Sequence, residues 1–300
     1  MTSITDAQAP RDARRARLGP GALTLPAALG LVLFFAAPLG TFFLYSFLTN
    51  SLYEVSRPFT LEGYTDALST DVNRTLGLNS LVVGLCAAGA TVIIGLPIAY
   101  WLRFAAGRWQ VLVLFLITAT LFASYLVRIF AWQSILGSNG LLNSGLRRLS
   151  VIDEPLGFLL YNRFAVTVAL VHIFLPYVVL VLYAGFRPVS PALVEAAQDL
   201  GANAVVRWRR VILPLVAAPA STAFLLVFVL SAADYVTPQF VGGTDGALLG
   251  VRIQAALTGV GNWPLGAALS FLMLAAFLLC YLLTALALRL LRLDRIRFVS

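Results

Sequence analysis

Six long stretches of this 300-residue chain contain no Asp, Glu or Arg, and the chain contains no Lys at all. They are Leu18–Tyr53, Thr75–Leu102, Trp109–Val127, Phe164–Phe186, Val211–Ala233 and Ile253–Leu288. A helix needs about 20 apolar residues to cross about 30 Å of hydrocarbon. Within a bilayer the backbone must satisfy its own hydrogen bonds, so each stretch predicts a helix. The expected spans are about 23–48, 77–102, 111–133, 164–185, 213–236 and 264–289. Composition agrees. The chain is 60% hydrophobic and 11% charged, whereas soluble domains carry about 25% charged residues. Lipid is therefore expected to solvate much of the surface. A seventh charge-free window, Ile129–Leu146, holds Gln133, Ser134, Ser138, Asn139, Asn143, Ser144 and three glycines. That is turn chemistry, and the window reads as the end of the third helix followed by a loop.

The first apolar run exceeds the roughly 7–15 residues of a signal-peptide core, so it reads as an anchor. All 21 basic residues are Arg and the net charge is +8. They cluster at the ends of apolar stretches rather than along one face, so they read as topology determinants and not as a nucleic-acid footprint. Fourteen flank the side that carries the N-terminus, six flank the other side, and Arg128 lies within a span. Both termini are thus expected in the cytoplasm, with residues 1–20 a basic tail and 21–300 the transmembrane domain. Cys86 and Cys280 each lie in an apolar run without metal or disulfide spacing, and read as small buried residues.

The longest inside loop, about 187–214, reads Ser190-Pro191-Ala192-Leu193-Val194-Glu195-Ala196-Ala197-Gln198-Asp199-Leu200-Gly201. Ser190 suits an N-cap and Pro191 the first helical position. Gly201 suits the positive φ just past the C-terminus. Leu193, Ala196, Ala197 and Leu200 form an apolar stripe, and Glu195, Gln198 and Asp199 lie off it. Helices that lie on membranes usually pair a basic face with bulky apolar residues. An acidic helix with alanines favours docking into a protein groove instead.

This loop resembles the EAA loop of type I ABC importer permeases. Glu195-Ala196-Ala197 is followed at the family spacing by Gly201, by Val211 in place of the usual Ile, and by Leu213-Pro214. The resemblance implies an all-α integral membrane fold of six transmembrane helices, the first a peripheral arm. It also implies that Glu195, Ala196, Ala197, Asp199, Leu200, Gly201, Leu213 and Pro214 couple the chain to a cytoplasmic ATPase dimer. A chain without Lys has no P-loop, so ATP and Mg²⁺ are expected on that partner, with no cofactor or metal bound here. A second homologous permease subunit and a periplasmic solute-binding protein complete the expected assembly.

From about Leu121 to Leu283 the chain resembles the polyamine branch of these permeases. The similarity lies in Ser124–Trp132, Gly140–Asn143, Ala233–Pro238 with Gly242-Gly243, and Asn262–Ala268. It implies a polyamine or related organic cation as solute, with opine, amino-acid and iron-chelate permeases as the alternatives. Arg128 reads either as snorkelling to the outer interface or as a gate residue, and a pairing with Asp234 is expected. Asp234 reads either as a headgroup-level acid or as an anion that attracts a cationic solute. Tyr125, Tyr235 and Trp132 are candidates for cation–π contacts, although aromatic residues are common at membrane interfaces. His172, the only His, reads as a hydrogen-bonded interior residue rather than a proton relay. Pro97, Pro176, Pro214 and Pro219 fall in or near spans, where neighbouring helices can satisfy the freed backbone groups. An ion-driven secondary transporter would need intramembrane carboxylates or broken repeats. A membrane enzyme would need a nucleophile with its base, or metal ligands. Neither set is evident.

Overall fold

A computed structural model describes residues 26, 28–51, 54–56, 58–259 and 261–291, with backbone only at 51 and 54–56. The basic tail 1–20 and Arg57, Arg292, Arg295 and Arg297 lie outside the described residues. The chain divides into two compact units, Met1–Leu44 and Tyr45–Ser300. The first unit contains most of helix α1, Ala28–Tyr45, which is long and apolar enough to span a membrane. Its stretch Val32–Ala36 is a π-turn. Pro38 follows, and its ring would clash with the carbonyl four residues earlier in a regular helix, so a widened turn relieves the conflict.

The second unit opens with an antiparallel ribbon, β1 (Thr49–Ser51) with β2 (Glu54–Ser56), in which Asn50 pairs with Val55. This short ribbon leaves the fold all-α, as expected. The other regular elements in the unit are helical: α2 (Glu62–Ser69), α3 (Asp71–Phe104), α4 (Gln110–Leu121), α5 (Tyr125–Leu136), α6 (Leu141–Arg148), α7 (Arg163–Gly185), α8 (Pro191–Asp199), α9 (Ala204–Ala232), α10 (Leu249–Gln254) and α11 (Trp263–Leu290). With α1, the helices α3, α7, α9 and α11 are long enough to cross a membrane. Five of the six expected spans therefore appear as continuous helices, with α3 and α9 starting earlier than expected.

The third expected span is not a single rod. The segments 107–121 and 125–148 meet at a 95° bend. Ser124 takes extended backbone angles at the break. The window 129–146, read as mostly loop, instead completes α5 and forms α6. Asn143 makes that possible. It is fully buried, its Nδ2 donates to Gly137 O at 3.0 Å, and its Oδ1 accepts from Leu156 N at 2.8 Å.

The core lies where α3, α7 and α9 meet. Between lipid-embedded helices the hydrophobic effect supplies little, and close van der Waals packing of small residues supplies more. The buried face of α3 is accordingly rich in small residues, Ser80, Gly84, Ala87, Ala88, Thr91, Gly95 and Ala99, with Val83 and Leu102 among them. It faces Ala165 and Ala169 on α7 and Ala223 and Ala232 on α9, all fully buried. At the N-terminal end of α3 a polar seam fixes the segment that precedes and includes α10. Asn79 Nδ2 donates to Ala247 O at 3.2 Å, and Ser80 Oγ accepts from Leu249 N at 2.8 Å. The buried reading of the cysteines is not met. Cys86 is exposed on α3 and Cys280 is half-buried, because both fall off the packed faces of their helices.

Candidate coupling site and solute pathway

Helix α8 forms as its sequence dictates. Ser190 Oγ accepts from Leu193 N at 3.3 Å, and Pro191 begins the helix. Val189, fully buried, and Val194, packed against the same core, occupy the positions of a hydrophobic staple. At the far end Gly201 adopts φ +80°. Gly201 N donates to Gln198 O at 2.9 Å and Ala202 N to Ala197 O at 3.0 Å, the two bonds of a Schellman cap. No residue of α8 is buried. Val194 and Ala197 turn partly inward, while Leu193, Glu195, Ala196, Asp199 and Leu200 are exposed. Leu200 is 87% exposed. The apolar stripe therefore points largely away from the bundle, bordered by two carboxylates.

The connection from α8 to the next helix is shorter than the sequence suggests. Asn203 Oδ1 accepts from Val206 N at 2.9 Å and caps a helix that starts at Ala204. Helix α9 runs from there to Ala232 through a π-turn at Trp208–Ile212. Leu213 and Pro214 follow the π-turn directly. Pro214 cannot donate to the Arg210 carbonyl, and the widened turn accommodates its ring. The arginines at 207, 209 and 210 hid this helical start, because a charge-free window cannot detect a helix that extends beyond hydrocarbon. Arg207 Nη1 also donates to Gln198 Oε1 at 2.9 Å, tying α9 back to α8.

At the opposite end of α9 the structure brings Tyr125 and Asp234 together. Tyr125 O–H donates to Asp234 Oδ2 at 2.8 Å and lies 2.9 Å from Thr237 Oγ1. Asp234 also accepts from Val236 N at 3.0 Å and Thr237 N at 3.2 Å, so it caps the turns that continue into Pro238–Gly242. Gln133 Nε2 donates to Phe240 O at 3.1 Å, and Phe130 packs on Phe240 at 5.0 Å. Helix α5 is thus bound along the segment 234–242. Tyr235 is exposed nearby.

The expected Arg128–Asp234 pair does not form. Arg128 Nη1 donates to Ile173 O and Nη2 to Ala123 O, each at 3.2 Å. Ala123 precedes the α4–α5 break, and Ile173 lies three residues before Pro176 on α7. Ala123 O lies at the break, where a carbonyl is short of intrahelical donors, so the guanidinium bridges the break to the backbone of α7 instead of reaching the carboxylate. Trp132 and His172 meet edge to face at 5.5 Å. His172 is exposed on the helix surface rather than interior. With Arg128 it borders an apolar cavity of about 530 Å³ between α3, α4 and α7. Trp132 therefore belongs to the Arg128 side and not to the Tyr125–Asp234 cluster, and the three aromatic candidates do not form one cage.

Sequence reasoning missed the roles of Asn79, Ser80 and Arg163, and read Asn143 as turn chemistry. Arg163 Nη1 donates to Asn79 Oδ1 at 3.2 Å. Their signal was present as polar side chains inside or at the edge of apolar runs, where each buried polar group needs a partner. It also missed the ring cluster of Tyr100, Phe104, Phe186 and Trp208, whose members lie too far apart in sequence to be seen as a group.

A multi-pass bundle of apolar helices with a capped, unburied helix on a short link at one end is an integral membrane protein in architecture. The chain belongs to the family of binding-protein-dependent transport system inner membrane components, whose model matches residues 91–295. It is 33% identical over 226 residues to the spermidine/putrescine transport system permease protein PotB of Escherichia coli (strain K12), a match spanning 75% of this chain and 82% of the relative. The PotB protein of Haemophilus influenzae is 32% identical over 71% of this chain and 74% of its own. The inner membrane ABC transporter permease protein YdcU of Escherichia coli (strain K12) is 28% identical over 67% of this chain and 68% of its own. In fold the chain is similar to a bacterial ABC transporter involved in the import of the acidic polysaccharide alginate, at TM-score 0.69 and 15% identity, covering 90% of this chain and 94% of that one. The chain is thus a multi-pass inner membrane permease subunit of an ABC importer, a transport component and not an enzyme.

Proposed function

We propose that α8 is the element through which a separate cytoplasmic ATPase dimer drives this permease, with ATP and Mg²⁺ held by that partner. The observation that carries the reading is the exposed stripe Leu193–Ala196–Leu200 on a helix fixed at both ends by caps. Glu195 and Asp199 beside the stripe supply charge for docking. The link to α9 is short, so displacement of α8 becomes displacement of a rod that continues through the membrane. A second homologous permease subunit completes the solute pathway, and a periplasmic binding protein delivers solute at the end opposite α8. The termini then lie on the cytoplasmic side.

The solute proposed is a polyamine or related organic cation. Two PotB relatives are spermidine/putrescine permeases by name. Asp234 keeps its carboxylate free of any Arg partner among the described residues, because the expected cation is engaged elsewhere. A half-buried anion without a fixed counter-ion favours a cation in its vicinity. Affinity purification of the tagged permease from cells expressing the whole transporter tests the coupling reading. The ATPase is expected to co-purify, and to be lost on Glu195→Arg or Gly201→Val. ATP-independent uptake driven by an ion gradient would overturn it. Competition of uptake by spermidine, an opine, an amino acid and an iron chelate separates the solute classes.

A further inference from the structure

At the end of the bundle that carries α8, four aromatic rings from three different segments close on one another. Tyr100 and Phe104 come from the last turns of α3, Phe186 from the residue after α7, and Trp208 from the π-turn of α9. The Tyr100 centroid lies 4.9 Å from Phe104, 5.1 Å from Trp208 and 6.1 Å from Phe186. Phe104 meets Phe186 at 6.2 Å with planes at 88°. These spacings lie within the range where ring pairs attract. Phe186 is fully buried and the other three are half-buried.

Apart from the Val189–Val194 staple, α8 has little purchase on the bundle here. No residue of α8 or of Ala204–Arg207 is buried, so Trp208 is the first aromatic side chain beyond α8 to pack into the bundle. It also opens the π-turn Trp208–Ile212, the irregular turn nearest to α8. An irregular turn can absorb a push by flexing. A ring wedged among the ends of α3 and α7 opposes that flexing and shares the push with both helices.

We propose that Trp208 is a positioning residue for energy coupling, a latch that carries displacement of α8 into α3 and α7 rather than into α9 alone. The inference rests on the reading of α8 as the ATPase-coupling element and goes beyond it, because it assigns the transmission to a ring that does not touch the ATPase.

The complete transporter in phospholipid vesicles tests it. Cys86 and Cys280 are replaced by Ala, and one spin label is placed at Thr75→Cys, at the end of α3 opposite α8, and a second on a single cysteine at the same end of the second permease subunit. The distance between labels is measured without nucleotide and after trapping with ATP and vanadate. The unlatched variant Trp208→Ala is expected to keep the ATPase bound but to shift the populations of the two label distances by about 2- to 30-fold toward the nucleotide-free state. Trp208→Phe is expected to restore them. Tyr100→Leu, which keeps an apolar side chain but removes the partner ring, is expected to reproduce the loss, and it decides the matter if Trp208→Ala does not assemble. Unchanged distances in Trp208→Ala or Tyr100→Leu with the ATPase bound overturn the latch. Loss of the ATPase from an otherwise assembled Trp208→Ala also overturns it, since the ring would then serve docking. If the latched transporter itself shows no nucleotide-dependent change, the coupling reading fails and takes the latch with it.

Discussion

Asp234 and Arg128 show how one side chain can hold two readings that a conservative substitution separates. Asp234 caps the turns after α9 through two backbone N–H groups and receives the Tyr125 hydroxyl. Asn is as good a cap as Asp, while Ala loses about 1 kcal/mol. Asp234→Asn is therefore expected to leave thermal stability in detergent near that of the parent, whereas Asp234→Ala lowers it. If the carboxylate also attracts a cationic solute, Asp234→Asn lowers spermidine uptake about tenfold despite its intact fold, a ratio worth about 1.4 kcal/mol. Equal uptake by the Asp and Asn proteins would leave Asp234 as a cap alone. Arg128 invites the reverse experiment. Its planar fork reaches two carbonyls, Ala123 O and Ile173 O, which the single ammonium of Lys cannot match. Arg128→Lys keeps the charge, so a purely electrostatic gate survives it. The bridge between the two carbonyls does not: a lost interhelical hydrogen bond in a membrane costs about 0.6–2 kcal/mol, read as a lowered unfolding temperature.

The helices were legible to the degree that lipid alone dictates them. Long charge-free runs located α3, α7, α9 and α11, and cap chemistry at Ser190 and Gly201 located α8 to the residue. The break after Leu121 was not legible, because no proline or glycine marks it. Its sign is Arg128 holding Ala123 O, a contact known only once α7 is in place. The start of α9 was hidden for a related reason, since a cap at Asn203 outweighed the three arginines that follow. Packing between helices was also written in the sequence, as the small residues of α3, but their partners were not. Glycines make this testable with opposite signs. A Cβ at Gly185 would lie 2.5 Å from Pro219 Cβ and Cγ, whereas one at Gly89 would meet nothing within 4 Å. Gly185→Ala forces α7 and α9 apart and is expected to cost about 1–3 kcal/mol, the usual penalty of overpacking. Gly89→Ala is expected to stabilise the helix interior by up to about 1 kcal/mol. Chemical unfolding of the two variants in the same detergent measures both.

At the scale of the molecule the arginine asymmetry and the capped helix make one joint demand on topology. Fourteen arginines near the N-terminal side favour retention of that side in the cytoplasm, and α8 must lie there too if an ATPase is to reach it. The bent pair α4–α5 decides whether the two demands agree. From α3 to α8 the chain passes α4, the break, α5, α6 and α7. If α4 and α5 together make one crossing, α3 and α7 run in the same direction through the membrane, and the ends that carry Tyr100 and Phe186 share a side. The rings of Tyr100 and Phe186 lie 6.1 Å apart, so the fold itself requires that crossing. The same argument puts Thr75 and Thr244, which border one pocket, on the other side. In a background free of Cys86 and Cys280, Ala192→Cys is expected to resist a membrane-impermeant maleimide in intact spheroplasts and to react in inverted vesicles. Asp245→Cys, exposed at the opposite end, is expected to do the reverse. Labelling of both from the same side would break the single crossing of α4 and α5, and labelling of Ala192→Cys from outside would remove α8 from the reach of any cytoplasmic motor.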